Sequence, residues 1–171
     1  MASEIGVQTI QHTNGTDALT IDSNGVVTKP VLPAWCVGIT NVQSMSGAGT
    51  NHQNLDRSSG AQFFLQGGVT LSSNKVTVPV AGVYQVNLVL RFDGVGSNYY
   101  HITRIYKNTA STANELAYII NGNPAGDYEN ATGSVVAKLE ANDTVWVSHY
   151  QEADTSYNIN NTLKFSGVLI G

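Results

Sequence analysis

Catalysis or ligand binding in this chain would have to draw on four His, one Cys, twelve Asp plus Glu and eight Tyr among 171 residues. His12, His52, His101 and His149 are scattered, and no two of them sit at zinc-ligand spacing. His149 alternates with Val145 and Val147, which reads as a hydrogen-bonded, half-buried histidine of a strand. Cys36 stands alone, so no internal disulfide can form. It reads as a small buried residue of a first domain strand; a reactive or intermolecular thiol is the alternative. Asp154-x-Ser156-x-Asn158-x-Asn160 echoes a calcium loop, but Ile159 and Phe165 occupy the positions where such a loop needs Gly and Glu. Asp127, Glu129, Glu152 and Asp154 are carboxylates of turn-rich stretches, solvated by default. There is no G-x-S-x-G, no H-E-x-x-H and no phosphate-cradling G-x-x-x-x-G-K-S/T. Nothing places two carboxylates across one cleft, as glycoside hydrolysis requires. The reading is a non-enzymatic protein without a cofactor. The Asn-x-Ser/Thr sequences at Asn14, Asn130, Asn142 and Asn160 fit chance in an Asn-rich chain.

Tyrosine is the residue type that points to a surface. Tyr99, Tyr100 and Tyr128 fall in or near loops, and Tyr118, Tyr150 and Tyr157 lie nearby in the pattern. A large apolar ring with one polar handle suits interfaces. Packing between subunits is the first reading of these rings; stacking on a sugar or contact with another partner is the second.

The elements that must position these residues are strands. From Tyr84 the apolar residues fall at every second position, Tyr84, Val86, Leu88, Leu90 and Phe92, which is a half-buried strand with one core face. Val76 and Val78 share a face of a shorter strand that Pro79 ends, and Ala81-Gly82 turns the chain, with Gly82 expected at positive φ. Trp35, Val37 and Ile39 lie on one face of the first domain strand. Residues 44–60 read as a long loop, 61–65 as a strand ended by Gly67-Gly68, and 94–98 as a turn. Strands follow at 99–107, 116–120, 134–139, 144–150 and 163–170, with polar loops at 121–130 and 151–161. About ten strands and no clear helix suit a two-sheet all-β jelly-roll sandwich. Charged residues make up 12% of the chain, against about 25% in an average domain. A net charge of −4 leaves no basic footprint for nucleic acid, and no apolar run approaches a membrane span.

Four stretches carry a family resemblance. Val76-Thr77-Val78-Pro79-Val80-Ala81-Gly82-Val83-Tyr84 resembles the F-T-V-P-x-x-G-x-Y signature of C1q-like domains, relatives of the tumour-necrosis-factor ligands. Ile105-Tyr106-Lys107-Asn108 resembles the family's Y-K-N-G turn. Residues 139–147, LEANDTVWV, resemble L-x-x-G-D-x-V-W-V, and residues 165–170, FSGVLI, resemble the closing strand. The match departs at Val76, where an aromatic is usual, and at Thr109 and Asn142, where Gly is usual. Asn tolerates left-handed backbone, so the last change is mild. The resemblance implies that Pro79, Gly82, Tyr84, Asp143, Trp146, Phe165 and Gly167 define the fold. It implies a homotrimer, and it raises calcium at the loop carboxylates as an alternative to solvated side chains.

Residues 1–33 differ from the domain at 34–171. Two Asn-Gly turns, at 14–15 and 24–25, separate short apolar runs containing Ile5, Val7, Ile10, Leu19, Ile21 and Val27, and Pro30 and Pro33 mark a linker. NGTDALTIDSNGVVTKP resembles repeats found before the globular heads of bacteriophage fibre and surface proteins. The expectation is a virion structural protein, a capsid decoration (cement) protein or short head fibre, attached through residues 1–33 to the major capsid or another virion protein. An arm of that length has room for a clasp and not for a long shaft. The alternative is the receptor- or host-glycan-binding tip of a tail fibre. A secreted signalling ligand is opposed by the absence of a charged-then-apolar leader and of a collagen repeat.

Overall fold

The computed structural model describes residues 6–15, 17–29, 31–39, 41–46, 53–54, 62–93, 100–121, 128–151 and 156–171. The arm holds β1 (Thr9–Gln11), β2 (Asp17–Ile21) and β3 (Val27–Thr28). The domain begins with β4 (Ala34–Gly38), β5 (Gln43–Ser46), β6 (Gln53–Asn54), β7 (Gln62–Gln66), β8 (Thr70–Ser72) and β9 (Lys75–Thr77). It continues with β10 (Gly82–Asp93), β11 (His101–Lys107), β12 (Glu115–Asn121), β13 (Tyr128–Leu139), β14 (Thr144–Gln151), β15 (Ser156–Ile159) and β16 (Lys164–Leu169). One short 3-10 turn, Thr112–Asn114, precedes β12. The architecture is the expected all-β jelly roll.

Among the described residues, one sheet runs β5-β15-β10-β16-β4-β7, with β13 on the far edge of β10. The facing sheet runs β12-β11-β14-β9-β8, with β6 also on β14. β10 is the spine of the first sheet. Tyr84, Val86, Leu88, Leu90 and Phe92 are all buried, while Val89 between them is 48% exposed. Their period of two puts all five on the inward face, where each contributes roughly 1.5–3 kcal/mol by leaving water. Trp35, Val37 and Phe165 complete this face, and Val76, Ile105, Val145 and Val147 meet it from the other sheet.

Two glycines are fixed by space. A Cβ on Gly167 would overlap the Trp35 ring, so β16 can lie flat beneath the indole only with glycine there. A Cβ on Gly82 would meet the Leu169 side chain, and would stand 2.8 Å from the carbonyl oxygen of Gly171. The expected positive φ at Gly82 is therefore wrong. Gly82 begins β10 in ordinary extended backbone and is small because the chain's last residues cross it. Positive φ occurs instead at Gly67 and Gly68 after β7, and at Asn108 and Asn142. The Asn142 value of 71° confirms that asparagine fills the left-handed position where the family has glycine.

The structure corrects four other expectations. The stretch 44–60 contains most of β5 and all of β6, and the polar stretch 151–161 contains β15, whose Tyr157 and Ile159 are buried. β13 starts at Tyr128 rather than Ser134, because its twelve residues pair continuously with β10, Gly133 included. Cys36 is half-buried rather than buried, since Trp35 and Val37 take the inward face on either side of it. The turn expected at 94–98 lies outside the described residues.

The strand ends define two ends of the sandwich. At one lie the arm linker, Pro79, Gly82, the β13–β14 turn and the C-terminus. Leu169 N–H donates to Pro33 O at 3.0 Å there, and the Gln66 amide donates to Leu32 O at 3.0 Å. At the other lie the end of β10 and the starts of β11, β13 and β15.

Candidate functional site

Asp93, Tyr100, Asn121, Tyr128, Gln151 and Ser156 flank 94–99, 122–127 and 152–155, and the register brings these strand ends together: Asp93 opposes Tyr128 and Asn158, and His101 opposes Asn121 and Gln151. Of the candidate loop residues, Tyr99, Asp127, Glu152 and Asp154 lie outside the described residues. Tyr100 and Tyr128 are at this end. Tyr128 is 62% exposed, with the Arg91 guanidinium 4.3 Å from its ring centre. Tyr100 packs on Tyr150 at 6.0 Å between ring centres. Tyr118 is exposed on the outer face of the second sheet under Arg104, away from these two rings.

Beneath this surface is a buried polar cluster that sequence spacing does not reveal. His101 and His149 are far apart in sequence, yet β11 and β14 are neighbours and both side chains point inward. Their ring centres are 5.5 Å apart. Phe92 lies against both, at 5.4 Å from His101 and 4.2 Å from His149. Tyr157 packs on both imidazoles as well, at 5.7 Å and 5.1 Å. Glu129 comes from β13, with its Oε2 3.5 Å from His101 Nδ1. Glu129 is thus not a solvated loop acid but a buried carboxyl at an inward position of a strand. His149 is fully buried rather than half-buried, and its Nδ1 lies 3.2 Å from Thr103 Oγ1 as expected of a hydrogen-bonded histidine.

Burial sets the charge of this cluster. It pushes His101 down to about 4 and pushes the Glu129 carboxyl up, with a smaller opposing pull from the Asn121 amide. It also raises Tyr157. At neutral pH His101 is therefore a neutral imidazole. Its two ring nitrogens and Glu129 Oε2 have no hydrogen-bond partner among the described residues. No group of three or more His, Cys, Asp or Glu among those residues has an arrangement that could hold a metal ion. A reader of the sequence could have noticed the cluster only as polar residues at positions 101, 103 and 149, where alternation demands apolar ones.

The opposite end is built for structural integrity. Asn108, in left-handed backbone, donates through Nδ2 to Asp143 Oδ1 at 2.7 Å and accepts from Thr144 N–H at 2.9 Å. Its carbonyl accepts from Trp146 Nε1 at 3.0 Å and from Lys75 Nζ at 3.1 Å. Burial alone would raise the Asp143 carboxyl; hydrogen bonds from Asn108 and from Glu140 N–H, with the Lys107 charge, outweigh it and hold the group below its usual range. The motif residues Asn108, Asp143 and Trp146 thus lock one turn to another, and Tyr84 Oη closes the same end by donating to Val80 O at 2.9 Å.

The arm is a three-stranded meander. Gly15 and Gly25 take positive φ at the two Asn-Gly turns. Asp22 Oδ1 accepts from Asn24 and Val26 N–H at 2.8 and 2.9 Å. Ile10 opposes Leu19, and Ile21 opposes Val27, so these four residues share one face. Ile10 and Val27 on it are 50% and 55% exposed, and Leu19 and Ile21 are half-buried. Val7 is exposed beside them, and Ile5 lies outside the described residues.

The outer face of the first sheet is also poorly charged. Val89, Val136, Phe63 and Phe64 are exposed on it, among Gln85, Asn87, Thr132, Ser134 and Ser166, and Lys164 opposes Val89 with its ammonium 4.5 Å from the Phe63 ring centre. No helix among the described residues is long and apolar enough to cross a membrane.

Comparison with known proteins agrees with this architecture. No curated protein matches the sequence. Among solved structures, murine APRIL at pH 5.0 superposes with a TM-score of 0.61 at 14% identity, covering 81% of this chain and 99% of that one. Eiger TNF from S. frugiperda gives 0.59 at 13% identity, covering 82% and 93%. The globular domain of zebrafish complement 1qA gives 0.56 at 16% identity, covering 81% and 98%. At these identities the likeness shows the fold alone. The C1q domain model, however, matches residues 65–170, which spans β8 to β16 and every motif from Val76 to Ile170. With Gly167 and the Asn108–Asp143 lock inside that span, the chain belongs to the C1q domain family.

Proposed function

We propose that this chain is a non-enzymatic, homotrimeric surface module that docks through its N-terminal arm and projects its loop end outward. Its place is the surface of a bacteriophage particle, as a capsid decoration protein or short head fibre. The observation that carries the reading is the shared apolar face of Ile10, Leu19, Ile21 and Val27. A three-stranded sheet with a partly exposed apolar face is marginal by itself and gains stability by covering that face. Three arms on one trimer multiply a modest contact by avidity. Self-association is supported by the family, whose domains commonly form homotrimers, and by the exposed Val89, Val136, Phe63 and Phe64 on the outer face of the first sheet. The virion placement rests on the resemblance of NGTDALTIDSNGVVTKP to repeats preceding phage fibre heads.

Labelling purified particles with antibody against this chain tests the placement. Label over the heads is expected, and particles that never label overturn it. The second reading, a receptor- or glycan-binding tail tip, is favoured by exposed Tyr128 with Arg91 on its ring at the end far from the arm. Label confined to tail tips, with specific binding on a glycan array, supports that reading instead.

A further inference from the structure

We propose that Asn24 is a self-modification site, converted to aspartate and isoaspartate by attack of the Gly25 nitrogen, and that the hydrogen bonds of the Asp22 turn restrain this reaction while the arm is folded. The inference requires neither the virion placement nor the docking role.

Residues 22–25 form the turn between β2 and β3. Gly25 N–H donates to Asp22 O at 3.0 Å, and Asp22 N–H donates to Val26 O at 3.0 Å. Asp22 Oδ1 accepts from the N–H groups of Asn24 and Val26 at 2.8 and 2.9 Å. The Val26 bond first and the Asn24 bond second hold the Asp22 carboxyl below its ordinary range, so at neutral pH it is an ionised acceptor. Gly25 sits at φ 78°, and among the described residues a Cβ there would meet nothing within 4 Å. All four residues of the turn are exposed, so water and base reach it. Glycine places no side chain in the path of its own nitrogen.

The chemistry balances with water alone. A solvent base removes the Gly25 N–H proton, and the nitrogen attacks Asn24 Cγ. The Cγ–Nδ2 bond breaks, ammonia leaves with a proton from water, and a five-membered imide remains. Water then opens the imide. Cleavage of the new bond between nitrogen and Cγ gives aspartate. Cleavage of the bond between the same nitrogen and the Asn24 main-chain carbonyl carbon gives isoaspartate, whose backbone runs through the side chain. One water is consumed and one ammonia released, with no change of oxidation state.

The folded turn opposes the first step twice. Gly25 N–H is already given to Asp22 O, so removing its proton means breaking that bond. The Asp22 carboxylate, bonded to the N–H groups on either side of Gly25, also puts negative charge beside a nitrogen that must become an anion. Reaction therefore proceeds when the turn opens. β3 is only two residues long and pairs with β2 at two positions, so few bonds must break. Isoaspartate lengthens the backbone between Ile21 and Val27, which takes that pair of the arm's apolar face out of register.

Full-length protein and a synthetic peptide of residues 20–28 are incubated together at pH 7.5, and conversion of Asn24 is followed by proteolytic digestion and mass spectrometry, with aspartate and isoaspartate separated by retention. Asn24 is expected to convert in the protein roughly tenfold more slowly than in the peptide, the factor for breaking one or two turn hydrogen bonds. In Asp22→Ala the protein should approach the rate of a peptide carrying the same change. Asp22→Asn keeps an acceptor oxygen without the charge and should fall between, which a variant that merely loses the arm would not do. Asn24 still intact in the protein and in Asp22→Ala when the peptide is spent overturns the site. Equal rates in protein and peptide, or a ratio that Asp22→Ala leaves unmoved, overturn the restraint.

Discussion

Tyr84 shows how much one position of a strand can carry. Its ring is fully buried, 6.2 Å from Trp35 between centres, and its hydroxyl donates to Val80 O, so truncation removes both a core volume and the closure of a turn. Tyr84→Ala should cost about 3 kcal/mol or more, measured as a shift of the denaturant midpoint at constant slope. A variant of unaltered midpoint would show that the inward face is misassigned. Gly82→Val tests a different cause. Its backbone is ordinary, so the penalty must come from crowding against Leu169 and Gly171, about 1–3 kcal/mol. Leu169→Ala in the same chain should recover part of that loss if crowding is the reason, and recover none if backbone strain is. Asp143 adds a pH dependence. Its carboxyl is held below its unfolded value, so its stabilisation is full above that value and is lost as pH falls through the folded one. Asn108→Ala should raise the Asp143 midpoint in a carboxyl titration by NMR, because it removes the Nδ2 donor.

Strands were legible in the sequence wherever one face is apolar and the other is not. β10 was readable from Tyr84 to Phe92 because Gln85, Asn87 and Arg91 separate its buried residues, and the arm turns were readable because Asn-Gly takes positive φ. β5, β6 and β15 were not, since short strands rich in Ser, Gln and Asn look like loops until a neighbour pairs with them. The site was half legible. Tyr100 and Tyr128 were placed near loops by turn residues, whereas the histidine cluster depends on which strands become neighbours, and no local pattern encodes that. Among elements, the arm carries the clearest test. Residues 34–171 contain the whole sandwich, so they should fold without residues 1–33 and melt cooperatively. The truncated protein, added to particles lacking the protein, should no longer decorate them, and neither should full-length protein with Ile10 and Val27 changed to Ser. Decoration by the truncated chain would place the docking surface on the sandwich.

The described residues place the arm at one end, a motif-rich lock beside it, and a buried polar cluster near the strand ends at the other. Between these ends, the outer face of the first sheet presents Val89, Val136, Phe63 and Phe64 among mostly uncharged residues, with Lys164 lying over the Phe63 ring. A single sandwich has no use for that face, and three copies packed about an axis would cover it while aligning three arms for docking and three loop ends for presentation. Self-association is the step on which avidity, attachment and outward display all depend. The mass of the full-length protein, measured by light scattering during size exclusion at micromolar concentration, tests it most directly. A single species of three times 18.2 kDa is expected, and a species at 18.2 kDa would contradict self-association.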